Sequence, residues 1–344
     1  MSDKIFIGID SGATTSKIAA VRADGSIFPS ELLQRPTSSE GGTGAVIKAW
    51  VGAINEFLAL HDLKWDQVDG VGLAVPGPRR SYGVLDSSPN LSAEFDGWNV
   101  ERDLRVALEH ESGRGLPLAL GNDGNFGGVA EAHRARGSEA CGVVMLAPGS
   151  GLGGAYVDAA GLPMDGDTLA GMEVGHLAAP LHLLGVDAMT CGCGRDWGCY
   201  EMYTALAGLP GLIERALPRY PGHVLEDPSL GKKQRAMKLR GLAQEGDALA
   251  LEIFDLQARA MGLLVAELAM AVDPGCFVIG GGLIDPDATT LEFRERYLGR
   301  IKETALKYLW KPQQEKLRIV PATLGELSQA VGAALVARHV AEMA

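Results

Sequence analysis

The chain has 344 residues, 47% of them hydrophobic and 22% charged, with a formal net charge of −12. That length exceeds what one core usually covers, so two domains are expected. The acidic balance argues against a nucleic-acid surface, which needs clustered Lys and Arg, and no apolar run approaches the ~20 residues of a membrane span.

Residues 5–9 form an apolar run that predicts a strand, with residues 17–22 and 26–28 as hairpin partners around the turn Ala23-Asp24-Gly25. The loop between them, Gly8-Ile-Asp10-Ser-Gly12-Ala-Thr14-Thr15-Ser-Lys17, is a Gly-rich turn. Backbone N–H groups in such a turn can cradle phosphate oxygens, and Thr14 and Thr15 add hydroxyls. Asp10, at the strand tip, can hold a hydrated Mg²⁺. The plainer reading is a simple hairpin turn. Ile47, Trp50, Val51, Ile54, Phe57 and Leu58 repeat at helical spacing, and a strand follows at 68–74. Pro76-Gly77-Pro78 and Pro89-Asn90-Leu91 bracket a loop whose rigid residues flank Asn90, which suggests a shaped polar pocket wall. Arg79 and Arg80 read as solvated loop charges.

A helix at 100–111 and a strand at 116–120 lead into Gly121-Asn122-Asp123-Gly124-Asn125. A carboxylate at a strand tip between two amides can accept a hydroxyl proton, although Asn-Asp-Gly is also a common turn. Residues 125–136 read as a helix on which Glu131 is structural. The pattern then restarts: a strand at 142–147, the turn Gly149-Ser150-Gly151-Leu-Gly153-Gly154, and a returning strand at 154–157. This turn contains G-x-G-x-x-G, but the dinucleotide fingerprint needs a helix next, and residues 155–158 read as a strand. A phosphate-wrapping hairpin fits better. Helices are expected over 201–217, 234–272, 291–309 and 327–340, with strands at 276–279 and 317–320. The apolar stripe Met261, Leu264, Val265, Leu268 and Val272 reads as core. Strand hairpins alternating with helices make this an α/β chain.

Three of the five cysteines fall in Cys191-Gly-Cys193-Gly-Arg-Asp-Trp-Gly-Cys199, just after Glu173-Val-Gly-His176. Three thiolates and one imidazole are a full tetrahedral set for a structural zinc, leaving no open position. Clustered, metal-spaced cysteines point to a reducing cytoplasm. Cys141 and Cys276 read as buried small hydrophobes.

Together these segments resemble the ROK family of bacterial sugar kinases and sugar-responsive repressors, within the actin–hexokinase–heat-shock ATPase superfamily. Asp10-Ser-Gly12-Ala-Thr14 resembles its Asp-x-Gly-Gly-Thr, and Asn122-Asp123 its Asn-Asp. Residues 149–154 are similar to its Gly-Thr-Gly-Ile-Gly-Gly. Met172-Glu173-Val174-Gly175-His176 resembles Gly-Glu-x-Gly-His, and Cys191 through Glu201 its cysteine motif with one residue added. The segment Gly280-Gly281-Gly282 is similar to its adenosine side. Met172 stands where a small residue is usual.

The resemblance implies two lobes of ribonuclease-H-like, actin-like ATPase fold around a central cleft. Residues 1–121 with the C-terminal helix (327–344) would form the small lobe, and residues 122–326 the large lobe with a zinc loop at 176–199. It implies ATP-dependent phosphorylation of a hexose, glucose first, with Asp123 as general base. Asn90, Asn122, Glu173, His176 and Glu201 would hold the other hydroxyls. Asp10 would position Mg²⁺; Gly12, Thr14, Thr15, Gly149, Ser150 and Gly151 would hold phosphates; Gly281 and Gly282 would abut adenosine. His176, Cys191, Cys193 and Cys199 would hold zinc. Kinases for fructose, allose, N-acetylglucosamine or N-acetylmannosamine, and a non-catalytic sensor or repressor, are the alternatives. The partners implied are sugar and nucleotide, with no nucleic acid or membrane, in a cytoplasmic homodimer or homotetramer. Family repressors carry an extra N-terminal helix-turn-helix, for which a strand beginning at Lys4 or Ile5 leaves no room.

Overall fold

The computed structural model describes residues 4–29, 32–75, 79–86 and 92–343. The chain divides into two compact units: residues 1–137, 155–171 and 324–344 in the first, 138–154 and 172–323 in the second. The predicted division lay at 121/122; these units instead divide at 137/138. The helix after residue 122 stays with the first unit because it packs against the C-terminal helix, which belongs there too.

The first unit is built on β1 (Ile5–Ser11), β2 (Thr15–Arg22), β3 (Leu33–Pro36), α1 (Thr43–Leu60), β4 (Val68–Val75), β5 (Arg79–Ser81), β6 (Val84–Leu85), α2 (Val100–Ser112), β7 (Leu118–Asn122) and α3 (Asp123–Arg136). Its main sheet runs β3-β2-β1-β4-β7, with β1 antiparallel to β2 and parallel to β4, and β4 parallel to β7. β1 is buried on both faces, so it reads as a continuous apolar run. Its side chains still alternate. Ile5, Ile7 and Ile9 join Trp50, Ile54 and Phe57 of α1 in one core. On the opposite face Gly8 lies under the Ala330 carbonyl of the C-terminal helix, where a Cβ would collide with backbone. Gly72 of β4 makes the same close approach to Ala333. These two glycines let a helix settle directly on the sheet.

Two expectations change here. Residues 26–28 make only a single bridge, Ile27 to Val21, and the third strand of the meander is β3. α1 is long and apolar enough by length and composition to cross a membrane, contrary to the sequence reading, but its apolar side lies in this core.

The second unit contains β8 (Val143–Pro148), β9 (Leu152–Val157, cut by the unit boundary), α4 (Leu181–Leu184), α5 (Glu201–Thr204), α6 (Leu209–Ala216), α7 (Lys232–Gln244), α8 (Ala248–Val272), β10 (Cys276–Ile279), α9 (Leu291–Leu306), α10 (Lys311–Lys316) and β11 (Arg318–Pro321); α11 (Ser328–Met343) returns to the first unit. The sheet order is β11-β10-β8-β9, with β8, β10 and β11 parallel. Met261, Leu264, Val265 and Leu268 of α8 are buried, as the stripe predicts, but Val272 at the helix end is only half-buried. The helix expected over 234–272 breaks before Asp247, whose carboxylate caps α8 by accepting the Ala250 N–H at 2.9 Å. Cys276 is buried, and burial pushes its thiol up to about 11, whereas Cys141, also expected to be buried, is only half-buried.

Candidate functional site

In the first unit, β1 carries Asp10 to the lip of the Gly12 turn, directly opposite Lys17 of β2. Burial raises the Asp10 carboxyl to about 6; Lys17 opposes that shift, while Asp123 and Glu326 add to it. The same unit therefore gathers three carboxylates into one electrostatic neighbourhood, with Lys17 Nζ 3.5 Å from Glu326 Oε2. Such a site attracts a hard cation through oxygen ligands. The chemistry of Asp10 fits the implied Mg²⁺, which supplies charge neutralisation on phosphates when bound.

Five side chains with no such role in the sequence reading shape the turn from below. Trp50 Nε1 donates to Ser11 Oγ and Ser16 Oγ, each at 3.0 Å. Ser16 pairs with Thr37 at 2.8 Å, and Thr37 Oγ1 donates to the Gly12 carbonyl at 2.9 Å. Ser39 Oγ donates to Ala13 O at 2.6 Å. Their carbonyls taken by hydroxyls, the turn residues are held in one geometry, with Gly12 and Thr14 exposed and Thr15 half-buried. No periodicity marks such a network, because its members lie on a strand, a loop and a helix.

Asp123 is the first residue of α3 and follows β7 directly. Asn122 caps that helix, its Oδ1 accepting the Asn125 N–H at 3.2 Å. Burial holds the Asp123 carboxyl above the usual carboxylate range, and the Gly124 N–H, 2.8 Å from Oδ1, partly offsets this. A cap residue therefore turns the strand-tip carboxylate to a fixed heading. Asn125, also unassigned by sequence, is buried and donates to Asp165. Glu131 is structural, as predicted: it is 2% exposed, and Oε1 accepts the Leu324 N–H at 2.8 Å. Arg80, expected as a solvated loop charge, stands instead on β5 and pairs at the surface with Asp86 and Asp96. Asn90, with both Pro-rich segments around it, lies outside the described residues.

The second unit holds the other predicted residues. Gly149 and Ser150 are exposed and Gly151 half-buried, in a turn closed by the Gly149 N–H on Gly151 O at 2.8 Å. Gly281 has φ +83, and a side chain there would strike the Pro148 carbonyl at the end of β8. Gly149 and Gly282 line one cavity of about 220 Å³ with Thr204, Leu206, Met237 and Leu283. A mostly apolar cavity beside a Gly-rich turn can take a flat base next to its phosphates. A larger groove, about 1190 Å³, between α4, α6, α8 and α9 contains none of the predicted residues. Its charges largely pair with one another, as Arg296 does with Asp255 at 2.6 Å.

The ligand atoms of His176, Cys191, Cys193 and Cys199 all lie within 4.8 Å of one another. Cys193 Sγ and Cys199 Sγ are 3.8 Å apart, and Cys191 Sγ is 3.7 Å from His176 Nδ1. A tetrahedron with Zn–S bonds of ~2.3 Å needs sulfurs roughly 3.8 Å apart, so the residues fit the ion. With Nδ1 facing the thiols, Nε2 of His176 is the nitrogen left for a second partner. Met172 adopts φ +63, the left-handed region, just before the exposed Glu173.

The residue added to the cysteine motif is not a slack bulge. Trp197 Nε1 donates to Cys199 Sγ at 3.2 Å, and the Arg195 guanidinium sits 5.6 Å from the Trp197 ring centre. Hydrogen bonds from the Arg195 backbone and side chain hold the Cys193 thiol down to about 6, whereas burial pushes Cys191 up to about 12. The Glu201 carboxylate lies between the Leu152 N–H, 3.1 Å from Oε2, and the Cys191 thiol, 3.5 Å from Oε1.

A glucokinase of Halalkalibacterium halodurans is 27% identical over 85% of this chain and 84% of its own. An N-acetyl-D-glucosamine kinase of Salmonella arizonae is 27% identical over 85% of this chain and 88% of its own. Among solved structures, the ROK hexokinase of Thermus thermophilus is 28% identical, with a TM-score of 0.73 over 99% of this chain and all of that one. The α/β, actin-like ATPase fold that the sequence implied is the fold of these relatives. The ROK family matches residues 6–340, nearly the whole chain, and the chain belongs to that family.

Proposed function

We propose that this chain is an ATP-dependent sugar kinase that transfers the γ-phosphoryl group to a hexose hydroxyl, with glucose the first substrate. The observation that carries the reading is Asp123: a half-buried carboxylate at a strand tip, capped into place by Asn122, in a chain of the ROK family. Asp123 accepts the proton of the attacking hydroxyl, which contributes roughly 10²–10⁴-fold. Asn90, Asn122, Glu173, Nε2 of His176 and Glu201 hold the remaining hydroxyls. Gly12, Thr14, Thr15, Gly149, Ser150 and Gly151 hold phosphates, Asp10 holds Mg²⁺, and Gly281 and Gly282 flank adenosine. In such transfers the protein mainly positions reactants and offsets charge. His176 and the three cysteines hold a structural zinc that staples the loop carrying them. The same reading carries a cytoplasmic location and a homodimer or homotetramer.

An N-acetylhexosamine is the second reading, favoured by the N-acetyl-D-glucosamine kinase relative, which stands at the same 27% identity as the glucokinase. ADP release from Mg-ATP against glucose, fructose, allose, N-acetylglucosamine and N-acetylmannosamine tests both. Glucose giving the highest kcat/KM supports the first reading, and an N-acetylhexosamine giving it supports the second. No sugar-dependent release with any of the five overturns the kinase reading.

A further inference from the structure

Gln257 is 1% exposed and is the one polar side chain among the buried residues of α8. A buried amide costs stability unless its polar atoms find partners. Nε2 donates to the Ala205 carbonyl at 3.2 Å. That carbonyl can only accept, so the nitrogen must face it, and the amide cannot flip without losing the bond. Among the described residues none donates to Oε1. Yet Gln257 lines the cavity of about 220 Å³ beside the Gly149 turn, whose walls include Phe254, Leu206, Leu209 and Leu283. The other polar side chains of that lining are engaged. Thr204 donates its hydroxyl proton to Tyr200 O at 2.9 Å, and Arg240 donates to Gly282 O at 3.3 Å. The amide is also tied to the phosphate turn, because Leu206, next to Ala205, donates its N–H to Gly149 O at 3.0 Å.

We propose that Gln257 selects the base of the nucleotide, its Oε1 accepting from the exocyclic amine at carbon 6 of adenine. The proposal rests on the kinase reading for the placing of adenosine beside Gly281 and Gly282. An amide matched to adenine's donor and acceptor is a known means of telling that base from others. Guanine and hypoxanthine carry a carbonyl oxygen at carbon 6, which would set two acceptors against each other. A free amide would rotate and offer its NH2 instead. This one is held by Ala205, and turning it would leave a buried carbonyl unpartnered. With the phosphates fixed at the Gly149 turn, a fixed amide reads one edge of the ring.

The test is calorimetric titration of the zinc-loaded full chain, without sugar, with Mg-ADP, Mg-IDP and the Mg-diphosphate of purine riboside. These carry an amine, a carbonyl oxygen and a hydrogen at carbon 6. The parent should bind ADP tightest and IDP weakest, with ADP favoured over IDP by roughly ten- to hundredfold. Gln257→Met keeps the length of the side chain and removes the amide, so the ADP-to-IDP preference should shrink to about threefold or less. Equal weakening of ADP and IDP in that variant, with the preference intact, makes Gln257 a brace for Ala205 alone and overturns the proposal. So does a parent that binds ADP and IDP within about twofold. Should the methionine variant fail to fold, the parent's order reads the same contact, and equal affinity for ADP and the purine riboside diphosphate overturns it. A parent that prefers ADP yet turns over no sugar supports the Gln257 assignment while overturning the kinase reading. A parent that binds none of the three diphosphates overturns both.

Discussion

Asp123 shows how one side chain gains its chemistry from where the backbone puts it. As the first residue of α3 it is half-buried, and desolvation raises its pKa despite the Gly124 N–H. Asp123→Asn removes the base but keeps the cap and the volume. Turnover should fall by roughly 10²–10⁴-fold, with the sugar Kd little changed; stopped-time ADP assays and calorimetry check the two halves. The base must be ionised, so kcat/KM should fall on acidification with a midpoint above the ordinary ~3.9 of an aspartate, and Asp123→Asn should abolish that limb. Stability has the opposite sign. A raised carboxylate pKa means the native state binds the proton first, so this group favours the ligand-free fold below its unfolded value and loses that contribution as pH rises through the folded one. Met172 is the second residue-scale case. Its left-handed φ of 63° costs about 1–2 kcal/mol for a side chain with a Cβ. Met172→Val should lower stability by about 1–2 kcal/mol in denaturant melts. Met172→Gly should not lower it, because relief of strain offsets glycine's added chain entropy of about 0.5–1 kcal/mol.

At the scale of the element, the cysteine loop was legible as a ligand set but not as a packed object. Spacing alone named Cys191, Cys193, Cys199 and His176, and the distances between them fit a tetrahedral ion. That the added stretch folds back, so that Trp197 donates to Cys199, follows from a turn geometry no residue count contains. Donors behind metal ligands usually tune affinity by 10–100-fold. Trp197 is half exposed, so Trp197→Phe should weaken zinc at the lower end, about tenfold, in competition with a chromophoric chelator. An affinity equal to the parent's would remove Trp197 from the zinc site. The same limit explains the helix predicted over 201–217. Met202, Ala205, Leu206 and Ala207 are good helix formers, yet α5 ends at Thr204 because Leu206 and Ala207 give their N–H groups to the loop at 149–150, and Gly208, Pro210 and Gly211 follow.

Across the whole molecule, α11 explains why the C-terminus belongs with the N-terminal unit. It lies on β1 and β4 where Gly8 and Gly72 lack side chains, and Gly332 lets it meet the Phe126 carbonyl of α3. Contact this close leaves no space for a methyl group, and backbone cannot move aside as a side chain does. Gly72→Ala should therefore cost about 3 kcal/mol, the upper end for overpacking. Thermal melts should show a fall of several degrees, and a wild-type melting temperature would mean the helix sits further from the sheet.

The sequence by itself determined the α/β class and most of the core strands and helices, and it singled out the cysteine–histidine cluster and the strand-tip Asp123 as candidates. Each rests on local information: apolar period, turn chemistry or ligand spacing along a few residues. The tertiary structure alone decided what those residues lean on. The Trp50–Ser16–Thr37 network beneath the Gly12 turn joins three elements, and the place of Glu201 depends on a turn 49 residues upstream. The unit boundary likewise follows from α3 packing on α11, not from where a strand ends. Hydrogen bonds and close approaches between distant segments leave no periodic trace in the chain, because a polar residue reads the same whether it faces water or a backbone carbonyl.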